Sequence, residues 1–286
     1  MGAKNSNDHM KENRTIFKRR IKQLKILFRS FLRHPKKTLL QVIELNEKDK
    51  ENYTRLKYGI NQLPTIDLLE LLPGFNETIS HYSFLEGTSL ITDIALLKGM
   101  ARSYAGCRYL EIGTWRGESL VNVAETAAQT ISIDLSPAEM RKKKFSEAVI
   151  QNQGFFIKDS SNIQRIFHDS ASFDFSSLNA SFDLIFIDAD HHYEAVKADT
   201  RNAYSVLNDD SSTIIWHDYA FSTERVRPEV LAGILDGLPA MEHSNLYHVS
   251  NTMCAILTRK KFQAKNISFP STPNKMFTVK IQAQRL

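Results

Sequence analysis

From Thr88 onward the apolar positions fall into a regular alternation of two rhythms. Ile91, Ile94, Leu97 and Met100 recur at helical spacing behind Thr88 or Ser89, either of which can cap a helix, and predict one through about Tyr104. Short apolar runs at 108–112 and 130–134 predict strands, with a helix over 117–127 between them. Ser136-Pro137-Ala138-Glu139 is a capping box with proline at the first helical position, opening a helix to about Asn152. Strands are predicted again at 154–158, 182–188 and 213–217, with helices from about Ser160, over 192–207 and over 228–235. The runs 246–249 and 253–258 lie too close for a helical crossover and predict an antiparallel hairpin. Strands alternating with helices imply an α/β, doubly wound, mostly parallel sheet, here of seven strands with a C-terminal antiparallel hairpin.

The pattern is different upstream. Phe17, Ile21, Leu24, Phe28 and Phe31 form one apolar helical face within 14–33, surrounded by cations, and His34-Pro35 is expected to end that helix. A second helical stretch runs from Leu39 to about Tyr58, and Pro64 and Pro73 punctuate the segment after it. After Lys261 the tail is polar until Phe277, Val279 and Ile281 alternate, which predicts one edge strand or a swapped contact. The organisation is thus a basic arm at 1–37, a helical cap at 38–85, an α/β domain at 86–260 and a tail at 261–286.

Charge sharpens that division. The net charge of +5 is an average of opposites: residues 1–37 hold twelve Lys/Arg against two Asp/Glu, and the remaining 249 hold 25 against 30. A basic amphipathic helix suits an anionic membrane surface, a partner or its own domain. It lacks the aromatic interleaving of a stacking platform, so no specific nucleic acid is expected. Cys107 and Cys254 make no disulfide framework, and both read as buried small hydrophobes, which suits a cytoplasmic chain, with the inner membrane surface as a peripheral contact for the arm. No run of about 18 apolar residues occurs, so no membrane-spanning helix is expected.

The first strand and turn carry the chemistry. Between Arg108 and Asp134 the order is strand, glycine-bounded turn, helix, strand, and acid, a nucleotide-site half whose ligands sit beyond the strands' carboxyl ends. A pyrophosphate would want G-x-G-x-x-G, yet the spacing here is Gly113-x-x-x-Gly117, with Trp115 inside the turn and Glu111 at the strand tip. That geometry favours a ligand without phosphates, with a cation near Glu111 and a ribose near Asp134. S-adenosyl-L-methionine has those properties.

The segments EIGTWRGES, ISIDLSP, FIKDSS, FDLIFIDADHHYEAVKAD and IIWHDY, in this order, resemble the Rossmann-like class I S-adenosylmethionine-dependent methyltransferases, most closely the bacterial branch acting on small molecules and sugars. The resemblance covers about residues 86–258. It implies a cofactor site at Glu111, Gly113, Gly117, Asp134, Asp159 and Ser160, and an N-terminal addition that covers the substrate side.

Two further stretches, Asp188-Ala189-Asp190-His191-His192-Tyr193 and His217-Asp218-Tyr219, fall at the ends of adjacent predicted strands and converge on one crevice. Asp188 and Asp218 are candidate ligands for Mg²⁺ or another divalent metal. Related metal-dependent O-methyltransferases carry an acid at the Asp188 position and an Asp-Asn or Asp-Asp pair at the later strand end, whereas this chain has His217 before Asp218. His191 is the leading general base and His217 the alternative, while Tyr193 and Tyr219 are open to lining the pocket or packing in the core. The expected activity is methylation of a hydroxyl on a small molecule or sugar, by an enzyme that forms homo-oligomers or acts alone. The rival is a non-catalytic interaction protein that keeps the core as scaffold.

Overall fold

A computed structural model describes residues 28, 32, 35–157 and 161–285. The chain divides into two compact units, 1–52 and 53–286, of which the second contains the α/β architecture. Of the helical face expected at 14–33, Phe28 is described, helical and exposed, and Phe17, Ile21, Leu24 and Phe31 lie outside the described residues. Helix α1 (Pro35–Tyr58) includes the proline expected to end a helix.

The sheet is built from β1 (Thr65–Ile66), β2 (Arg108–Ile112), β3 (Gln129–Asp134), β4 (Ile163–Phe167), β5 (Leu184–Ile187), β6 (Thr213–Trp216), β9 (Leu246–Val249) and β10 (Ala255–Leu257). A separate small hairpin is made of β7 (Ala220–Ser222) and β8 (Arg225–Val226). The helices are α2 (Leu68–Leu71), α3 (Ile91–Arg102), α4 (Glu118–Ala124), α5 (Pro137–Lys142), α6 (Glu147–Asn152), α7 (Tyr193–Ser205) and α8 (Pro228–Gly237). Strand order is β1-β9-β10-β6-β5-β2-β3-β4. The five strands β2 to β6 run parallel, and β10 is antiparallel to both β6 and β9.

Central strands such as LIFI in β5 and TIIW in β6 are buried along their whole length, as a parallel sheet covered on both faces requires. Their side chains alternate between two cores. Leu110, Ile112, Ile185 and Trp216 pack with Val196, Leu231 and Ile234 of α7 and α8. Tyr109, Leu184, Phe186 and Ile215 pack on the other face with Leu96, Leu97 and Leu120 of α3 and α4, joined by the buried Cys107 and Cys254. Chain order reverses between β2 and β5, which opens a crevice at their carboxyl ends.

The described sheet has eight strands where seven were expected, because Thr65 and Ile66 add β1 alongside β9. The run 154–158 is not the third parallel strand. Gly154 N donates to Trp115 O at 2.6 Å and Phe156 N to Arg116 O at 2.9 Å, so this run backs the glycine turn. Its place beside β3 goes to β4, in a segment expected to be helical; the burial of IQRIF alternates irregularly, as an edge strand allows. The helix expected to reach Asn152 is two, since Lys144 adopts φ +66° and Ser146 caps anew by accepting from Val149 N. The tail forms no strand over its described residues; Lys265 makes an isolated bridge to Thr65. No helix among the described residues is long and apolar enough to cross a membrane.

Candidate functional site

The first half of the crevice is the turn after β2. Gly113 sits at φ +84°, and a Cβ there would lie 2.5 Å from the Asp188 carbonyl oxygen and from Ala189 Cα. Gly117 sits at φ +90°, where a Cβ would strike Ile157 at 2.5 Å. The two glycines therefore let the turn lie directly on its neighbours. Between them Trp115 is forced to φ +46°, and its indole N–H is buried with no hydrogen-bond partner among the described residues. A strained residue that holds an unspent donor beside a crevice is explained if a ligand bound there accepts from it.

Glu111 is fully buried under this turn rather than presented at an open tip. Its carboxyl accepts from Tyr109 Oη at 2.6 Å and Ser119 Oγ at 2.9 Å. Burial, reinforced by the nearby Asp188 charge, pushes it up to about 8, so it is mostly protonated at neutral pH until a cation approaches. Asp134 ends β3, accepts from its neighbour Leu135 N at 2.9 Å, and takes the Gln153 side-chain amide at 2.8 Å; burial raises it too. Asp159 and Ser160 lie outside the described residues.

The second half lies at the tips of β5 and β6. Asp188 is fixed by its N–H to Ile112 O at 2.8 Å and receives Ser89 Oγ at 3.4 Å. Asp218 follows β6 in the left-handed region at φ +54°. His217, between them in space, is buried: Nε2 is 3.1 Å from Asp93 Oδ2, and Nδ1 is 3.0 Å from Asp188 Oδ1 and 3.8 Å from Asp218 Oδ2. The Nδ1 approaches lack hydrogen-bond alignment, so that nitrogen has no committed partner. Burial works against charge on this ring, but three surrounding carboxylates outweigh it and raise its affinity for a proton well above normal. Burial likewise pushes Asp218 up, yet His217 and Arg227 hold it below the usual carboxylate range. A cavity of about 10 Å³ lies among Asp188, His191, His217 and Asp218. That is room for one ion or one water.

Asp188, His217 and Asp218 bring one ligand atom each within 4.8 Å of one another. The donor set fits a divalent cation: two carboxylates, and an imidazole whose far nitrogen is fixed by a third. His191 stands at the rim, half exposed, its Nδ1 3.7 Å from Asp218 and its ring stacked on His192 at 5.2 Å. Burial and the Arg227 charge lower it, leaving it neutral and able to accept a proton at pH 7.

The structure thus gathers Glu111, Gly113, Gly117 and Asp134 on one side and Asp188, His191, His217 and Asp218 on the other. It removes the two tyrosines: Tyr219 is buried and accepts from Leu63 N at 2.8 Å, and Tyr193 bonds Asp236, which Tyr53, Tyr58 and Lys57 also reach. It adds Asp93, Ser89 and Gln153. Asp93 is fully buried and also accepts from Leu90 N at 3.0 Å and Met253 N at 2.9 Å. In sequence it reads as an ordinary first-turn acid of α3, and Ser89 as a cap, although α3 begins only at Ile91. Gln153 carries no spacing signal at all.

A family model for a methyltransferase domain matches residues 110–219. No curated protein matches the chain in sequence. Among solved structures, cofactor-bound Rv0187 from MTB is 20% identical over 62% of this chain and 84% of its own, with a TM-score of 0.44. The O-methyltransferase TomG from Streptomyces achromogenes, in complex with SAM, is 13% identical over 60% of this chain and 81% of its own, with a TM-score of 0.40.

Proposed function

We propose that the chain is a class I S-adenosylmethionine-dependent methyltransferase, a reading supported by the methyltransferase-domain model that matches residues 110–219, and that it methylates a hydroxyl oxygen of a small molecule with the help of a divalent cation. The observation that carries this reading is His217, locked through Nε2 to the buried Asp93 and turning an uncommitted Nδ1 toward Asp188 and Asp218. Such a ring is a poor shuttle for protons, and a cation that displaces its Nδ1 proton gains a well-oriented ligand. The two histidines then divide the labour: His217 belongs with the metal and His191 with the proton.

When bound, S-adenosylmethionine supplies a methyl carbon on a sulfonium, which leaves with the bond pair retained by sulfur. Glu111 and the Gly113–Gly117 turn hold the amino-acid end, and Asp134 accepts from ribose hydroxyls in place of the Gln153 amide. Asp188, His217 and Asp218 would hold Mg²⁺ or a similar ion, whose charge lowers the pKa of a hydroxyl oriented there. His191 takes the proton as that oxygen forms its bond to the methyl carbon. Alignment supplies most of the rate, and the base adds roughly 10²- to 10⁴-fold.

Titration calorimetry with S-adenosylhomocysteine tests the first half; the protein should bind it, and Asp134→Ala should weaken it about tenfold for the loss of a charged hydrogen-bond acceptor. Electron paramagnetic resonance of Mn²⁺ tests the second. Binding lost in Asp218→Asn supports the metal, and no Mn²⁺ binding leaves His217 with a purely hydrogen-bonding role.

A further inference from the structure

An open cleft of about 360 Å³ lies between the first turn of α3, the β7–β8 hairpin and the turn before β10. Tyr82, Leu90 and Phe277 give it apolar faces; Thr92, Thr223 and Asn251 give it neutral polar groups, and none of its lining residues is charged. The wall is tied to the site. Tyr82 Oη donates to Ser89 O at 2.8 Å, and Ser89 Oγ donates to Asp188. The next residue, Leu90, donates its N–H to Asp93, the partner of His217.

Phe277 comes from the tail, and the tail is fastened on both sides of the cleft. Lys275, with only 7% of its side chain exposed, places Nζ 2.7 Å from Asp67 Oδ2, 3.1 Å from Asn251 Oδ1 and 3.3 Å from Ser250 Oγ. Asn274 Nδ2 donates to the same Asp67 oxygen at 2.9 Å, and Ser271 N donates to Glu224 Oε1 at 2.8 Å. These bonds order residues 271–277 against the 223–224 and 250–251 turns, and they hold the Phe277 ring, 40% exposed, at the rim. Ordering polar side chains to present a half-exposed aromatic ring has an explanation if a ligand covers that ring.

We propose that this cleft is the acceptor pocket, and that the tail, through Lys275 and Phe277, selects an uncharged compound that carries an aromatic or other apolar ring beside its hydroxyls. The assignment rests on the methyltransferase reading above and names its substrate class. A cleft of this volume holds a ligand of drug-like size, and the neutral polar rim suits hydroxyls while its lining holds no positive charge for a phosphate or carboxylate.

The probe is phenyl β-D-glucopyranoside, titrated by calorimetry into the full chain saturated with S-adenosylhomocysteine, with phenyl phosphate as the charged comparison. Binding of the glucoside is expected, weakened about tenfold in Phe277→Ala by the loss of apolar contact and comparably in Lys275→Met. Affinity for S-adenosylhomocysteine should be unchanged in both variants, whose substitutions lie in the tail and touch none of Glu111, Gly113, Gly117 and Asp134. No glucoside binding, glucoside affinity indifferent to both substitutions, or tighter binding of phenyl phosphate would overturn the pocket while leaving the cofactor reading intact. Failure of S-adenosylhomocysteine itself to bind would overturn both.

Discussion

At the tips of β2 and β3 the site is shaped by backbone; at the tips of β5 and β6 it is shaped by side chains. The first half depends on what is missing, two Cβ atoms whose absence lets the turn settle on Ala189 and Ile157. The second depends on what is present, a buried histidine ringed by Asp93, Asp188 and Asp218. Shape of the first kind tolerates almost no substitution, because a close backbone contact has nowhere to go. Charge of the second kind is built from partners that can be exchanged one at a time, so its functions should be separable.

The most damaging way to probe that contrast is Gly113→Ala. The new methyl group would meet backbone atoms of the β5 tip at 2.5 Å, in a left-handed conformation that an L side chain resists. We expect a stability loss of about 2–4 kcal/mol and cofactor affinity reduced at least 100-fold, read by thermal unfolding and calorimetry with S-adenosylhomocysteine. A variant that binds normally would mean that the turn flexes freely, and the comparison between the halves would collapse.

Asp93→Asn should act on the other half alone. It preserves volume and keeps one oxygen for Leu90 N and His217, but it turns its NH2 toward Met253 N and no longer draws a positive charge onto His217. Mn²⁺ affinity should fall about 10- to 100-fold, as for other groups that orient a metal-binding imidazole, with S-adenosylhomocysteine affinity unaltered. Equal losses of both ligands would show the two halves to be one mechanical unit.

The same contrast explains what the sequence discloses. Glu111, Gly113, Gly117 and Asp134 lie within one strand-turn-helix-strand unit, so their gathering at one crevice follows from local spacing, and most of the fold's alternation from Thr88 to Thr258 is legible for the same reason. Asp93 comes from a helix 124 residues before His217, and nothing near it in the chain announces the histidine. Phe155, Phe156 and Ile157 read as a strand because apolar runs record burial and not hydrogen-bond partners; here Phe156 N donates to Arg116 O, and Phe155 N and Ile157 N donate to Asn152 O and Gly154 O. Strand β4 is hidden by Gln164 and Arg165, which an edge position accommodates. Lys275 and Phe277 meet their neighbours only through the folded tail, where the alternation of apolar residues that suggests an edge strand makes none.

The smallest expected effect links the halves through protons. Glu111 stands near 4.5 when unfolded and about 8 when folded, raised first by burial and then by the charge of Asp188. Its neutral form therefore contributes stability that is complete below about pH 4.5 and is lost as pH rises toward 8. The cofactor-free protein should melt at progressively lower temperature from pH 5 to 8, and Glu111→Gln should flatten that slope by a few degrees, since glutamine stays neutral throughout. Asp199, raised by burial to about 6, declines in the same direction and remains in the variant, so the difference between the two curves isolates Glu111. An ammonium arriving beside Glu111 would favour its ionised form, so binding near pH 7 should release a proton. Calorimetry in two buffers of different ionisation enthalpy reads that proton directly. Release by the wild type and not by Glu111→Gln places the cationic end of the ligand at this carboxyl, whereas identical curves would leave Glu111 as a packing residue beneath a turn shaped by its glycines alone.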